Sequence, residues 1–387
     1  MTADHDPAVI AKLQEQFARF ATHSLQDEPL YRAIADLVAR HGDWAALLGA
    51  APATQRWARL WLAALQDRVL ALVEAGERPP LADYFPHVGK PRAPDAALEQ
   101  HLGAFVDAER DALRESIATR GTQTNEIGRC AVLWPLLQDL VADTGRRRIA
   151  LLDVGCSAGL NLGVDRWRYR YVDDATGQLV ATTPRDRDPA APEITCRLLG
   201  ASRPRAGATP DIVSRLGIDL DPIAVDDARE VRWLRACLWP QDAERRRRFD
   251  AAVAIARTQH WPLRAIADAV SGVTEWLAGL PPDVTPVVFN SWVLAYFEAG
   301  LLRRHIDAML ELVAHRGVVW ISAEDPTQSR TWWPGLPERT EERRGNATSW
   351  AVARADGRGG VEWQLGATSH AHGHWMLYEG WAGDGRR

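Results

Sequence analysis

Lysine is nearly missing from this sequence. Only Lys12 and Lys90 occur in 387 residues, so the 46 basic residues are almost all arginine. Cysteine is scarce too. Cys130, Cys156, Cys196 and Cys237 stand far apart, with no CxxC pair and no mixed His/Cys cluster. That spacing excludes a disulfide framework and a finger-type structural zinc site. No apolar run approaches the ~20 residues that span a bilayer, so no membrane association is expected. The first residues, MTADHDPAVIAKLQEQF, are acidic and then amphipathic, which is not the pattern of a signal peptide. A cytoplasmic location is the resulting expectation. Positive charge is also lacking overall, at a net −5. Nucleic acid is therefore not an expected partner, because phosphate binding needs a concentrated basic face. ERRRRF (244–249) is the only dense basic block, and it reads as a solvated helix face.

The chain is 46% apolar and 25% charged, which suffices for two or three domains with a buried core. Residues 1–118 read as a helical accessory or cap domain. In TQRWARLWLAALQDRVLALVEAG (54–76), Trp57, Leu60, Trp61, Ala64, Leu65, Leu72 and Val73 recur near a 3.6-residue period, and Gly76 ends the helix. ERPPLADYFPHVGKPRAPD (77–95) is a proline-rich loop, and 96–118 resumes a helical pattern. Residues 119–387 read differently. An apolar helix, capped by Thr122 or Thr124 and interrupted by Pro135, leads to the short buried strand IALLDV. Trp167, Tyr169 and Tyr171 then alternate with Arg166, Arg168 and Arg170, the period of a strand. These residues begin a β-insert at about 166–213. From 212 onward strands alternate with helices, which predicts a parallel α/β sheet. A glycine-rich turn in SWAVARADGRGGVEWQLG predicts a final antiparallel hairpin at its edge.

The chemistry-bearing stretch is LLDVGCSAGLNLGVDRW (151–167). Counted from Gly155, the dinucleotide pattern GxGxxG meets Ser157 and Leu160 and fails at two of three positions. A nicotinamide-dependent oxidoreductase is disfavoured on that ground. Asp153, Gly155, Ser157 and Gly159 instead resemble the acid-x-Gly-x-Gly-x-Gly first motif of class I methyltransferases, with one glycine replaced. Such a turn lets the ligand come close to backbone, which requires small residues. Further along, LGIDLDP (216–222) resembles the second motif of those enzymes, with Asp219, or else Asp221, as the ribose carboxylate. The gap from Gly159 to Asp219 is longer than usual, and the β-insert accounts for the excess.

Several motifs in one order extend this likeness. TQTNEIGRC (122–130), DVGCSAGLNLGVDRWRYRY (153–171), GIDLDP (217–222), WLRACLWPQ (233–241), VVFNSWVLAYF (287–297) and HGHW (372–375) together resemble a bacterial family catalogued as domain of unknown function twenty-three thirty-two. The core is similar to class I methyltransferases that use S-adenosylmethionine. The resemblance implies an α/β fold: a class I methyltransferase-like Rossmann fold, with a seven-stranded mostly parallel sheet and an antiparallel edge hairpin. It implies S-adenosylmethionine as cofactor, S-adenosylhomocysteine as product, and a small-molecule acceptor. Asp153, Gly155, Ser157, Gly159, Asn161, Asp219, Asp221 and Asp268 become the expected cofactor residues, with Arg129 a partner for the cofactor's carboxylate. The alternative is a methyltransferase-like protein that binds S-adenosylmethionine without transferring the methyl group.

The acceptor belongs beyond the carboxyl ends of the strands. There Asn290 and Ser291 are candidates for acceptor contact, and Glu324 for a base. Trp292 and Tyr296 would wall the site, and Tyr169 and Tyr171 of the insert would close over it. FNSW is not the Asp/Asn-Pro-Pro-Tyr/Phe signature of nucleobase amino methylation, which counts against that substrate class. Gln123, Asn125 and Glu126 open the helix before the first strand, as substrate contacts or as a polar helix-start network. In SHAHGHW, His370, His372 and His374 share one face of an extended chain. An active-site base, with His374 the first candidate, competes with a packed role. No acid or cysteine stands beside them, so no metal is expected.

Overall fold

RIALLDV becomes strand β1 (Arg148–Val154), buried along all but its first residue. Apolar on both faces, it suits the middle of a parallel sheet covered by helices. The computed structural model describes residues 6–88, 92–182, 188–204 and 209–381. Parts of the proline-rich loop (89–91) and of the insert (183–187 and 205–208) lie outside the described residues. Two compact units are present: Met1–Thr124 with Asp226–Arg247, and Asn125–Val225 with Arg248–Arg387.

The first unit holds α1 (Pro7–His23), α2 (Pro29–Arg40), α3 (Gly42–Ala45), α4 (Ala58–Glu74), α5 (Leu98–Ala108) and α6 (Arg110–Thr119). Helix α7 (Cys130–Thr144) opens the second unit, and α8 (Ala228–Ala236) belongs again to the first. Side chains explain why α8 does so. Gln66 Nε2 on α4 donates to the carbonyls of Arg235, Ala236 and Leu238 at 3.2, 3.2 and 2.9 Å. The Tyr31 hydroxyl donates to Gln66 Oε1 at 2.9 Å, and Trp233 is buried in the helical core. These contacts satisfy a buried amide and the carbonyls of a helix end together.

The second unit is built on a sheet with order β3-β2-β4-β11-β10-β9-β8-β7-β1-β5-β6. The remaining strands are β2 (Arg168–Asp173), β3 (Leu179–Thr182), β4 (Glu193–Leu199), β5 (Asp211–Asp219), β6 (Leu263–Ala265), β7 (Thr285–Ser291), β8 (Val319–Glu324), β9 (Ala347–Ala355), β10 (Val361–His370) and β11 (Trp375–Tyr378). Helices α9 (Ala243–Gln259), α10 (Ala269–Ala278), α11 (Ala299–Arg316) and α12 (Pro326–Trp332) alternate with the later strands. Strands β6, β5, β1, β7 and β8 are mutually parallel. The chain runs outward from β1 through β5 to β6, then returns to β7 on the other side. That reversal is a topological switch point, where a crevice opens at the carboxyl ends of the strands. Ala150, Leu152 and Val154 pack with α10 and α11 through Val273, Trp276, Met309 and Val313. By the two-residue alternation Asp153 points to the opposite face.

A mixed α/β architecture with a large, mostly parallel sheet is therefore present. The sheet has eleven strands, where seven were expected. The antiparallel hairpin of β9 and β10 is interior, not at the edge. The apolar tail residues Trp375–Tyr378 supply the reason. As β11 they pair with β10 on one side and with β4 on the other, in register Trp375 to Arg197. A hairpin edge that would otherwise expose unpaired N–H and C=O groups is thereby continued into the insert. Register also sets levels. Glu324 lies opposite Ser349, and Ser349 opposite Thr368. Strand β10 thus runs parallel to β8, and the turn after His370 stands at the same edge as the end of β8.

Candidate functional site at the switch point

The loop after β1 is held in an unusual conformation. Gly155, Ser157 and Gly159 have φ of 71, 51 and 67°, all left-handed. Glycine adopts this freely, but serine does so at a cost. Space is tight as well. A Cβ on Gly155 would stand 2.3 Å from Val293, and one on Gly159 2.6 Å from Leu263. Asn125 clamps the loop from the other side. Its Nδ2 donates to the Cys156 carbonyl at 3.0 Å, and its Oδ1 accepts from Leu160 N–H at 2.9 Å. The Cys156 thiol is buried, and burial pushes it well above the ordinary thiol range. It holds no thiolate for nucleophilic chemistry.

Two carboxyl groups flank this loop. Asp219, at the end of β5, accepts the Ser157 N–H on Oδ2 at 2.8 Å and the Asp221 N–H on Oδ1 at 3.1 Å. Each oxygen keeps acceptor capacity, since a carboxylate offers about four lone-pair sites. Asp153 is 2% exposed, and its Oδ2 has no hydrogen-bond partner among the described residues. Burial pushes its carboxyl well above the usual range; the nearby Asp219 charge adds to this and Arg129 opposes it.

Arg129 and Glu324 extend the polar region along the same edge. Arg129, itself buried, donates from Nη1 to the Ser291 hydroxyl at 2.9 Å and from Nε to the Ala371 carbonyl at 3.0 Å. Glu324 is fully buried. Its Oε1 accepts from Asn290 Nδ2 at 2.7 Å and from the N–H groups of Val293 and Leu294, while Oε2 has no partner. Burial raises its pKa to about 7, against the lowering pull of those hydrogen bonds and of the Arg129 charge. Asn290 has both amide N–H groups engaged: it also donates to Ser322 Oγ at 3.1 Å, and its Oδ1 accepts Trp320 Nε1–H at 2.6 Å. The next residue but one, Trp292, has φ of 54°, a second strained position at this edge. Trp292 also lines a recess of about 280 Å³ together with Asp325, Pro326, Thr327, Asn346 and Ala347.

Other candidates take packing roles. Asn161 is buried and accepts the Cys130 thiol at 3.4 Å. Glu126, not a threonine, caps the turn before α7, accepting the Gly128 N–H at 2.8 Å. Asp268 caps α10 through Val270 N–H, Ser271 N–H and the Ser271 hydroxyl. Tyr169 stacks on Trp134, and the Tyr171 hydroxyl donates to the Ala131 carbonyl at 2.8 Å. The aromatic face of β2 therefore packs on α7, while the Tyr169 hydroxyl donates to the Val164 carbonyl at the end of the turn that follows the glycine loop. Asp221 and Tyr296 are exposed, and Gln123 falls in the first unit. The histidines come together: the ring centroids of His370, His372 and His374 lie 4.4–5.9 Å apart. Sequence reasoning missed Trp320, Ser322 and Val293. The first two alternate with Glu324 along β8, a two-residue period that marks one strand face.

The parallel core, the reversal beside β1 and the polar groups at the strand ends define an α/β protein with a large, mostly parallel sheet and its candidate site at the carboxyl edge. The chain belongs to the family described as "Uncharacterized protein conserved in bacteria (DUF2332)", whose model matches residues 14–377. No curated protein and no solved structure matches the chain. Among the described residues no helix is long and apolar enough to cross a membrane.

Proposed function

We propose that this chain is an S-adenosylmethionine-dependent methyltransferase acting on a small-molecule acceptor, on a class I methyltransferase-like core. One observation carries the reading. Two carboxyl groups, Asp153 and Asp219, end the adjacent strands β1 and β5 on either side of a left-handed glycine loop, and the buried one has an unpartnered oxygen. The residues fit the cofactor. Asp219 keeps acceptor sites for two ribose hydroxyls, and the unpartnered oxygen of the buried Asp153 can accept from an ammonium group, whose positive charge would draw that carboxyl back toward its ionised form. S-adenosylmethionine would supply an electrophilic methyl carbon. The chain's own part is to hold the acceptor, exclude water and move a proton where the nucleophile carries one. Glu324, with a pKa near 7, is matched to accepting that proton at neutral pH. A recess of about 280 Å³ suits a small acceptor better than a macromolecular one.

A second reading, cofactor binding without transfer, has its own support. Asn290 and Ser291 are engaged with Trp320, Ser322, Glu324 and Arg129, and are not turned to an acceptor. Calorimetric titration separates the possibilities. Micromolar binding of S-adenosylmethionine and S-adenosylhomocysteine is expected, weakened at least tenfold in Asp219→Ala. Absence of both affinities, or binding of NAD in their place, removes the proposal. Binding without turnover on any acceptor from a methyl-labelled screen selects the second reading.

A further inference from the structure

We infer that His370, His372 and His374 form a binding site for one divalent transition-metal ion of the zinc class. The alternating spacing alone argued for a shared strand face and an active-site base, with no metal expected. The fold does something different. Strand β10 ends at His370, Gly373 turns the chain at φ of 72°, and β11 starts at Trp375. One ligand nitrogen from each ring lies within 4.8 Å of the other two. A tetrahedral zinc ion with bonds of about 2.0–2.1 Å needs nitrogens roughly 3.3 Å apart. Side-chain rotation of the order of an ångström closes that difference.

The turn itself is fixed by main-chain bonds, so the imidazoles are presented from a rigid base. Arg129 Nε donates to the Ala371 carbonyl, and Ala371 N–H donates to the Asn346 carbonyl at 2.6 Å. Gly373 N–H donates to the His370 carbonyl at 2.9 Å, and Arg197 N–H to the His374 carbonyl at 3.0 Å. Gly128 packs so close that a Cβ there would stand 2.1 Å from the His372 carbonyl oxygen. His370 Nδ1 accepts the His372 N–H at 3.0 Å, so that ring carries its proton on Nε2. Binding through Nδ1 exchanges this hydrogen bond for a metal bond. All three rings are half-buried. Three neutral imidazoles favour zinc, copper, nickel or iron over magnesium or calcium, which take oxygen ligands. Three ligands leave a coordination position for water or a substrate atom, the open pattern of a reactive site and not of a structural one. This site stands independently of the S-adenosylmethionine reading.

The test uses the full-length protein, stripped with a chelator and dialysed against Zn²⁺ or Co²⁺. One equivalent of Zn²⁺ is expected by elemental analysis, and Co²⁺ is expected to give visible d–d absorption with X-ray absorption showing nitrogen and oxygen ligands only. His372→Ala/His374→Ala is expected to lose at least 100-fold in affinity. Should that variant fail to fold, the Co²⁺ spectrum and ligand count of the wild type decide alone. No metal retained by the wild type, sulfur in the ligand shell, or full stoichiometry in a folded double variant overturns the inference. Titration with S-adenosylmethionine on the stripped protein reports separately on the other site.

Discussion

Glu324 offers a prediction that joins the site to the stability of the fold. Its carboxyl is raised from an ordinary 4.5 to about 7, mainly by burial. A raised carboxylate means the folded state holds its proton where the unfolded chain has lost it. Below the unfolded value the group costs nothing. As pH rises from 4.5 to 7 the folded state is progressively disfavoured, and above 7 the cost is constant. The displacement of about two and a half pK units corresponds to roughly 3 kcal/mol at 1.36 kcal/mol per unit, most of which develops between pH 5 and pH 8. Glu324→Gln keeps an oxygen to accept from Asn290, Val293 and Leu294 but does not ionise. Urea denaturation of both proteins, followed by tryptophan fluorescence at several pH values, isolates the effect. The stability of the wild type relative to Glu324→Gln is expected to fall by about 2–3 kcal/mol from pH 5 to pH 8. A difference that stays flat, or grows with pH, would refute the reasoning, because it would mean the carboxylate is stabilised in place.

Three further perturbations follow from the loop and its supports. Gly155→Ala meets both a left-handed φ and Val293 at 2.3 Å, so a loss of about 2 kcal/mol or more is expected by thermal or urea denaturation. Adding Val293→Ala removes the Cγ contacts but leaves Cβ at 2.7 Å, so it is expected to restore only part of the steric loss and none of the conformational strain. Asn125→Ala removes the bonds to the Cys156 carbonyl and the Leu160 N–H; about 1–3 kcal/mol of stability and a weaker titration with S-adenosylmethionine are the expected results. Asn290→Ala takes the acceptor from Trp320 Nε1 and one of three donors from Glu324 Oε1, and a loss of about 2–4 kcal/mol in the same denaturation assay is expected. An Asn290→Ala protein as stable as wild type would show that water replaces the amide in that network.

Much of the second unit was legible in the sequence. IALLDV, LGID, PVVFNS and VVWISAE announced buried strands because parallel strands covered on both faces carry continuous apolar runs. Alternation of tyrosine and arginine announced β2, and Gly317 marked the end of α11. The glycine loop and its flanking acids were also legible, since left-handed backbone and close packing demand small residues at fixed offsets. Two things were not. The tail strand β11 is four residues long, and its pairing with β4 depends on an edge that exists only after β10 has formed. The role of Asn125 was hidden because a buried amide reads from sequence as surface polarity until its two backbone partners, 31 and 35 residues away, are in place.

Helices, strands and the glycine turn were thus determined by local periodicity and by backbone conformation, which depend on neighbours along the chain. The eleven-strand order, the neutral tendency of Asp153 and Glu324, and the meeting of three histidines were decided only in three dimensions. Burial and hydrogen-bond pairing are set by residues distant in sequence, and these alone fix whether a carboxyl keeps its proton. At 370–374 a two-residue period placed the imidazoles on one strand face, but it is the left-handed Gly373, held against Gly128, that folds them toward a common point.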